Sequence, residues 1–241
     1  MSSEITVEEL KCRLADTSAH GARIEFCQQA SDAIDGCGRV LWAFGAAADM
    51  PDREGLALVC QAAGELSTAT VGLYREERWY AGAALVRQFI ECEYLVYLFA
   101  QDRAHSVKWR QSTREERLDF FKPAAMRKLS QGKFQSDEYA IHCERGGHPS
   151  PMGSSLLAEH TWSLLGTNRY LWCDLGQHLE RFWDSLMLAV DKLDLGHIAI
   201  IQTARGEFPG WRAKWKERDL LSSWVSIRSE DDPGPETRGT E

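Results

Sequence analysis

Two histidines, a thiol, a carboxylate and a guanidinium crowd the stretch His142-Cys143-Glu144-Arg145-Gly146-Gly147-His148-Pro149-Ser150-Pro151. Imidazoles titrate near neutrality and suit proton transfer or metal ligation. Gly146 and Gly147 free the backbone, while Pro149 and Pro151 fix φ and remove donors, so a helix is expected to break here. On the approach side Tyr139, His142 and Cys143 stand at i, i+3 and i+4 and share one helical face. His160 follows beyond the proline-rich turn.

A second group lies on the apolar helix expected over 80–101. At 100° per residue Tyr80, Arg87, Glu91 and Tyr94 fall in one narrow sector, and Leu85, Phe89, Cys92, Val96 and Phe99 point elsewhere. Charges sheltered on such a helix cost several kcal/mol unless paired. The stripe therefore reads either as the polar floor of a pocket or as an internal ion pair that fixes helix register. Asp102-x-x-His105 and Asp194-x-x-His197 repeat an acid–imidazole spacing, but each falls at a helix end, and the Glu-x-x-His of di-iron bundles does not occur. No metal ligand and no cofactor is assigned from these spacings.

Charge is uneven along the chain. The 241 residues carry a formal net charge of -8, which argues against a surface that grips nucleic acid everywhere. Residues 101–133 nevertheless hold nine Lys or Arg against four acids, with Trp109, Phe120 and Phe121 among them. Residues 205–218 hold five bases against two acids, with Trp211 and Trp215. Such patches can follow a phosphate backbone and stack bases, or simply form solvated helix faces.

Hydrophobic residues are 44% of the chain, enough for a sizeable core, and nine Trp favour a packed interior. Seven Cys, an odd number without a C-x-x-C pair, point to reduced and mostly buried thiols. The start Met1-Ser2-Ser3-Glu4 does not read as a signal peptide. The window 80–100 is interrupted by Arg87, Gln88, Glu91 and Glu93, so it reads as a buried helix, not a membrane span. A soluble, cytoplasmic protein is expected.

The elements expected around these groups are helices. They cover about 6–18 with Thr6 and Glu9 in capping-box relation, 23–47, 52–75 with Asp52 as cap, and 80–101. Shorter ones follow at 102–110, after Ser112-Thr113, after Pro123 and from Ser136, then a long one over 168–193 and a last one over 211–225. In the long helix Trp172, Leu175, Leu179, Phe182, Trp183, Leu186 and Val190 form the apolar side, and Asp174, Gln177, Arg181, Asp184 and Asp191 the polar side. Only Ile198-Ala199-Ile200-Ile201 reads as β-like. The fold class is all-α, a single-domain bundle of about seven to nine helices over 1–228, with a disordered acidic tail over 229–241.

Arg87-x-x-x-Glu91, then Tyr139, then the turn His148-Pro149-Ser150 resemble a bacterial all-helical family of unknown function, over roughly residues 60–190. That family is similar in build to HEPN-type domains, dimeric α bundles of which many are metal-independent ribonucleases of toxin–antitoxin and phage-defence systems. The HEPN spacing, Arg then four to six residues then His, occurs at Arg13…His20, away from both polar groups. The resemblance implies RNA or a nucleotide as partner and a homodimer as assembly. With the loop and stripe it makes Arg87, Glu91, His142 and His148 the candidate catalytic residues. A His would act as base towards a 2′-hydroxyl, and an Arg would stabilise the pentavalent phosphate. Tyr94, Tyr139, Arg145 and His160 are the candidate substrate contacts. A non-catalytic module that binds a protein partner is the alternative, and a metal-dependent helical enzyme a further one.

Overall fold

The structure, a computed structural model, describes residues 3–47, 49–157, 167–222 and 225–227. His160 and the acidic tail 229–241 lie outside the described residues.

Thr6 accepts the Glu9 N–H and opens α1 (Val7–Ala15). Then come three long helices: α2 (Thr17–Ala47), α3 (Pro51–Arg75) and α4 (Trp79–Gln101). The expected Asp52 cap is displaced, because Met50 takes the cap position and Pro51 the first helical turn. Short connections turn α2, α3 and α4 back on one another, and α3 packs against both of the others. By length and composition α3 is the one described helix that could cross a membrane, yet half of its apolar window is buried in the bundle.

Residues 102–142 break into α5 (Arg103–Gln111), α6 (Arg114–Phe120), α7 (Pro123–Leu129) and α8 (Ser136–His142). Asp102 caps α5, Thr113 and Glu116 form a capping box on α6, and Pro123 starts α7. Helices α9 (Tyr170–Lys192) and α10 (Ala199–Arg218) complete ten α-helices among the described residues. The all-α expectation stands, with a helix count slightly above seven to nine. Helix α9 packs on α4 and α2, and α10 on α2, so α2, α3, α4 and α9 form the central bundle.

The β-like run at 198–201 is instead the first turn of α10, whose Ile201 is fully buried. Burial on the bundle explains the apolar run without a sheet. The last helix therefore begins at Ala199 and ends at Arg218, earlier than the expected 211–225. Two three-residue strands, β1 (Ser3–Ile5) and β2 (Val225–Ile227), pair in parallel.

The core is aromatic. Phe26 stacks on Trp215 and Trp183 on Phe208, each with ring centres 4.5 Å apart. All seven cysteines are free thiols. Burial raises the pKa of the Cys37 thiol to about 12, away from reactivity. One ion pair is sunk completely: Arg23 of α2 grips Asp219, just past α10, at 2.7 and 2.8 Å. Trp215 Nε1 and the Leu221 N–H also donate to Asp219.

Candidate functional site

The chain does not leave helical geometry at the glycines as expected. Residues Cys143–Gly147 widen into a π-type turn that continues α8, and the His148 N–H reaches the Cys143 carbonyl at 2.9 Å. Wide turns of this kind recur at functional sites. The glycines are required by contact, since a Cβ on Gly146 would fall 2.6 Å from Ala84 N and 2.7 Å from Ala83 C. Gly147 packs against the side chain of Arg87, and the Tyr80 hydroxyl donates to the His148 carbonyl. The loop and the stripe on α4 are thus one continuous piece of structure.

Arg87, Glu91 and Tyr139 form a closed triangle where α8 crosses α4. Arg87 Nη2 lies 2.9 Å from Glu91 Oε1 and donates to the Tyr139 hydroxyl at 3.1 Å, and that hydroxyl donates to Glu91 at 2.7 Å. Arg87 and Glu91 are partly open to water. Burial would lower the Arg87 pKa, but Cys143, Glu91 and Tyr139 outweigh it and raise it. Burial, aided by Glu91, pushes the Tyr139 phenol well up. The Arg127 guanidinium of α7 stands 4.7 Å from the centre of the same ring, and Arg87 stands 5.8 Å from it.

The other expected residues divide. His148 is exposed at the end of the turn, next to Gly147. Tyr94 is buried, its ring 4.2 Å from Phe134 and 6.0 Å from Tyr139. Arg145 is half-buried, and its charge opposes the upward shifts of Tyr74 and Tyr170. His142 leaves the Arg87 group altogether and points between α4 and α9.

There it meets residues that the sequence reading passed over: Glu93 of α4, Glu138 of α8, and Asp174, His178 and Arg181 of α9. His142 Nε2 lies 3.2 Å from His178 Nε2 and 3.6 Å from Asp174 Oδ1. His178 Nδ1 lies 2.7 Å from Glu93 Oε2. Arg181 spans the two carboxylates, 2.9 Å from Glu93 and 2.6 Å from Glu138, and also reaches His178 Nδ1 at 2.7 Å. A guanidinium offers only hydrogens and a carboxylate only lone pairs. Nδ1 of His178 faces both the Glu93 carboxyl and the Arg181 guanidinium, so Nε2 is the ring nitrogen turned towards His142.

Burial sets the charge state of this centre. Desolvation, with the positive charge of Arg181, lowers the His178 pKa to about 3, so the ring is neutral. Desolvation also raises Glu93 to about 7 despite Arg181 beside it. The Asp174 Oδ2 atom and the Tyr74 hydroxyl are buried without hydrogen-bond partners among the described residues.

Asp174 and Gln177 belong to the polar side of α9, which was expected to face water, yet both are buried. That side meets α8 and the segment after α10, where Gln177 Nε2 donates to Leu221 and Ser222 carbonyls. A signal was available: Glu138…His142 and Asp174…His178 are both carboxylate–imidazole pairs at i, i+4, one on each of two facing helices. The Asp102/His105 pair is structural, with Asp102 capping α5 and His105 Nδ1 on the Leu98 carbonyl.

The basic segments also divide. On α10, Arg205 pairs with Asp191, Arg212 with Glu180 and Asp184, Lys214 with Glu25, and Lys216 with Glu180. In 101–133, Arg103, Arg114, Lys122, Lys128 and Lys133 are exposed and make no ion pair among the described residues. The chain matches no family model, no curated protein and no solved structure.

Proposed function

We propose that the protein acts on RNA or a nucleotide, in the manner of a HEPN-like toxin or defence component, at the surface formed by Arg87, Tyr139, Arg127 and His148. The observation that carries this reading is the seating of the turn. It seats Gly147 against the Arg87 side chain with the exposed His148 next in the chain, while a second guanidinium, that of Arg127, covers the same Tyr139 ring. Lys122, Lys128 and Lys133, close to Arg127 in sequence, are exposed and make no ion pair among the described residues, as a phosphate-binding region requires.

In this reading His148 takes the proton from the attacking hydroxyl and Arg87 stabilises the charge that develops on phosphate. Glu91 and the Tyr139 hydroxyl hold the guanidinium in place. His142 lies behind this surface and does not touch the substrate.

The test is cleavage of a single-stranded RNA, with a nucleoside triphosphate in parallel, in the presence of a chelator. The wild type should cleave one of them. His148→Ala should cut the rate by about 10²–10⁴-fold, the usual contribution of a general base. A wild type that cleaves neither, and that does not arrest growth on expression, defeats the reading.

A further inference from the structure

Six ionisable side chains of three helices, Glu93, Glu138, His142, Asp174, His178 and Arg181, converge between α4, α8 and α9. His142, Asp174 and His178 are 6%, 4% and 0% exposed, so water does not solvate them. Buried polar groups are normally satisfied by hydrogen bonds. Here the two imidazoles face each other through Nε2, and Asp174 Oδ2 has no partner among the described residues.

The donor atoms of the three have a definite spacing. His142 Nε2 to His178 Nε2 is 3.2 Å, His142 Nε2 to Asp174 Oδ1 is 3.6 Å, and His178 Nε2 to Asp174 Oδ1 is 3.9 Å. The point equidistant from three corners so spaced is about 2.1 Å from each, within the roughly 2.0–2.2 Å of zinc–nitrogen and zinc–carboxylate bonds. The His142–His178 contact is at the long end of hydrogen-bond range and the Asp174 distances lie beyond it, while all three atoms are close enough together to bind one cation. We propose that His142, Asp174 and His178 bind one divalent first-row transition-metal ion.

The surroundings fit a ligand set. A metal-bound imidazole must offer a lone pair, and it usually donates its other N–H to a carboxylate. The Glu93 carboxyl lies 2.7 Å from Nδ1 of His178 and holds the ring with Nε2 towards the trio. Two imidazoles and one carboxylate suit zinc or iron(II) and leave coordination positions open. Glu138 Oε1, 3.8 Å from His178 Nε2, is the nearest further carboxylate, held by Arg181. Calcium and magnesium, which take oxygen ligands, are disfavoured by the two nitrogens. The site is separate from the Arg87–His148 surface and does not rest on the function proposed there.

The experiment uses the full chain, stripped with a chelator, dialysed and titrated with Zn²⁺ by calorimetry and with Co²⁺ by visible absorption. One equivalent should bind, the Co²⁺ complex should show d–d bands, and the unfolding temperature should rise with added Zn²⁺. His142→Ala and Asp174→Asn should each weaken Zn²⁺ binding by more than about 100-fold, beyond the 10–100-fold typical of outer groups. His105→Ala, on α5 away from the trio, should bind as the wild type does. Asp174→Asn preserves shape, so circular dichroism will separate lost binding from lost fold. Absence of stoichiometric binding by the wild type overturns the proposal, whether or not any variant folds. Unchanged affinity in Asp174→Asn and His142→Ala also overturns it, since the ion would then sit elsewhere. Because the RNA assay contains chelator, loss of metal binding and loss of cleavage are scored independently.

Discussion

His142 and His178 lie 36 residues apart on different helices and meet Nε2 to Nε2 at 3.2 Å, with ring centres 5.0 Å apart and planes at 71°. The edge-on geometry follows from their positions. His142 ends α8, His178 sits mid-way along α9, and the carboxylates one turn earlier on each helix, Glu138 and Asp174, close the same space. Desolvation keeps His178 neutral, the form that can accept a proton or bind a cation.

Glu93 should govern the ion affinity of this centre without touching the ion. Its side chain is fully buried and lies 2.7 Å from His178 Nδ1. Glu93→Gln keeps the volume but replaces the carboxyl beside Arg181 and His178 Nδ1 with an amide. Zn²⁺ affinity should fall by roughly 10–100-fold, as for other carboxylates behind a ligating histidine. Competition with a chromogenic chelator measures it, and an affinity within twofold of wild type would show that Glu93 does not orient the ring.

Asp219 should dominate acid stability near α2 and α10. It accepts from both Arg23 and Trp215 and from the Leu221 N–H. Desolvation would raise its pKa, but these partners, Arg23 foremost, lower it below the ordinary 3.8. The unfolded chain therefore binds a proton before the folded one as acid is added. The stabilisation is complete above the ordinary value and is lost as pH falls below about 3.8 towards the folded value. Asp219→Ala strands the Arg23 charge and should cost about 3–5 kcal/mol at neutral pH. Urea unfolding at pH 7 measures the loss, and the wild type but not the variant should lose stability through that acid window.

Much of the scaffold could be read from residue order. Thr6, Asp102, Thr113 and Pro123 mark helix starts, because their chemistry acts within one turn. The Arg87–Glu91–Tyr139 group was also legible, since i, i+4 spacing on α4 and a tyrosine on α8 need only one crossing of helices. The buried centre was not. Its members come from α4, α8 and α9, and amphipathic patterning placed Asp174 and Arg181 on the water side. A polar stripe looks the same whether it meets water or another polar stripe; only packing tells them apart. The run at 198–201 misled for a related reason, since β-branched residues also fill a buried helix start.

The turn at 143–147 should tolerate no side chain at Gly146. Its Cβ position falls 2.6 Å from a backbone nitrogen of α4, so Gly146→Ala must move the turn or the helix. A loss of about 1–3 kcal/mol is expected, as for other overpacked sites. Gly72, inside α3, has nothing within 4 Å of its Cβ position, and Gly72→Ala should instead stabilise by up to about 1 kcal/mol. Thermal unfolding of the pair decides whether contact or glycine's own flexibility sets the sign.

Tyr139 should act as a positioning residue for Arg87. Its hydroxyl bridges the guanidinium and Glu91, but Arg87 and Glu91 also pair directly at 2.9 Å. Tyr139→Phe keeps the ring under Arg127 and removes only the bridge, at a cost of about 1 kcal/mol of stability. RNA cleavage should persist at a reduced rate, whereas Arg87→Ala should abolish it. The Glu91→Gln/Tyr139→Phe double variant should lose less than the two single losses combined, because the groups share one network. Additive losses in equilibrium unfolding would mean that the hydroxyl and the carboxylate act separately, and Arg87 would then be held by Glu91 alone.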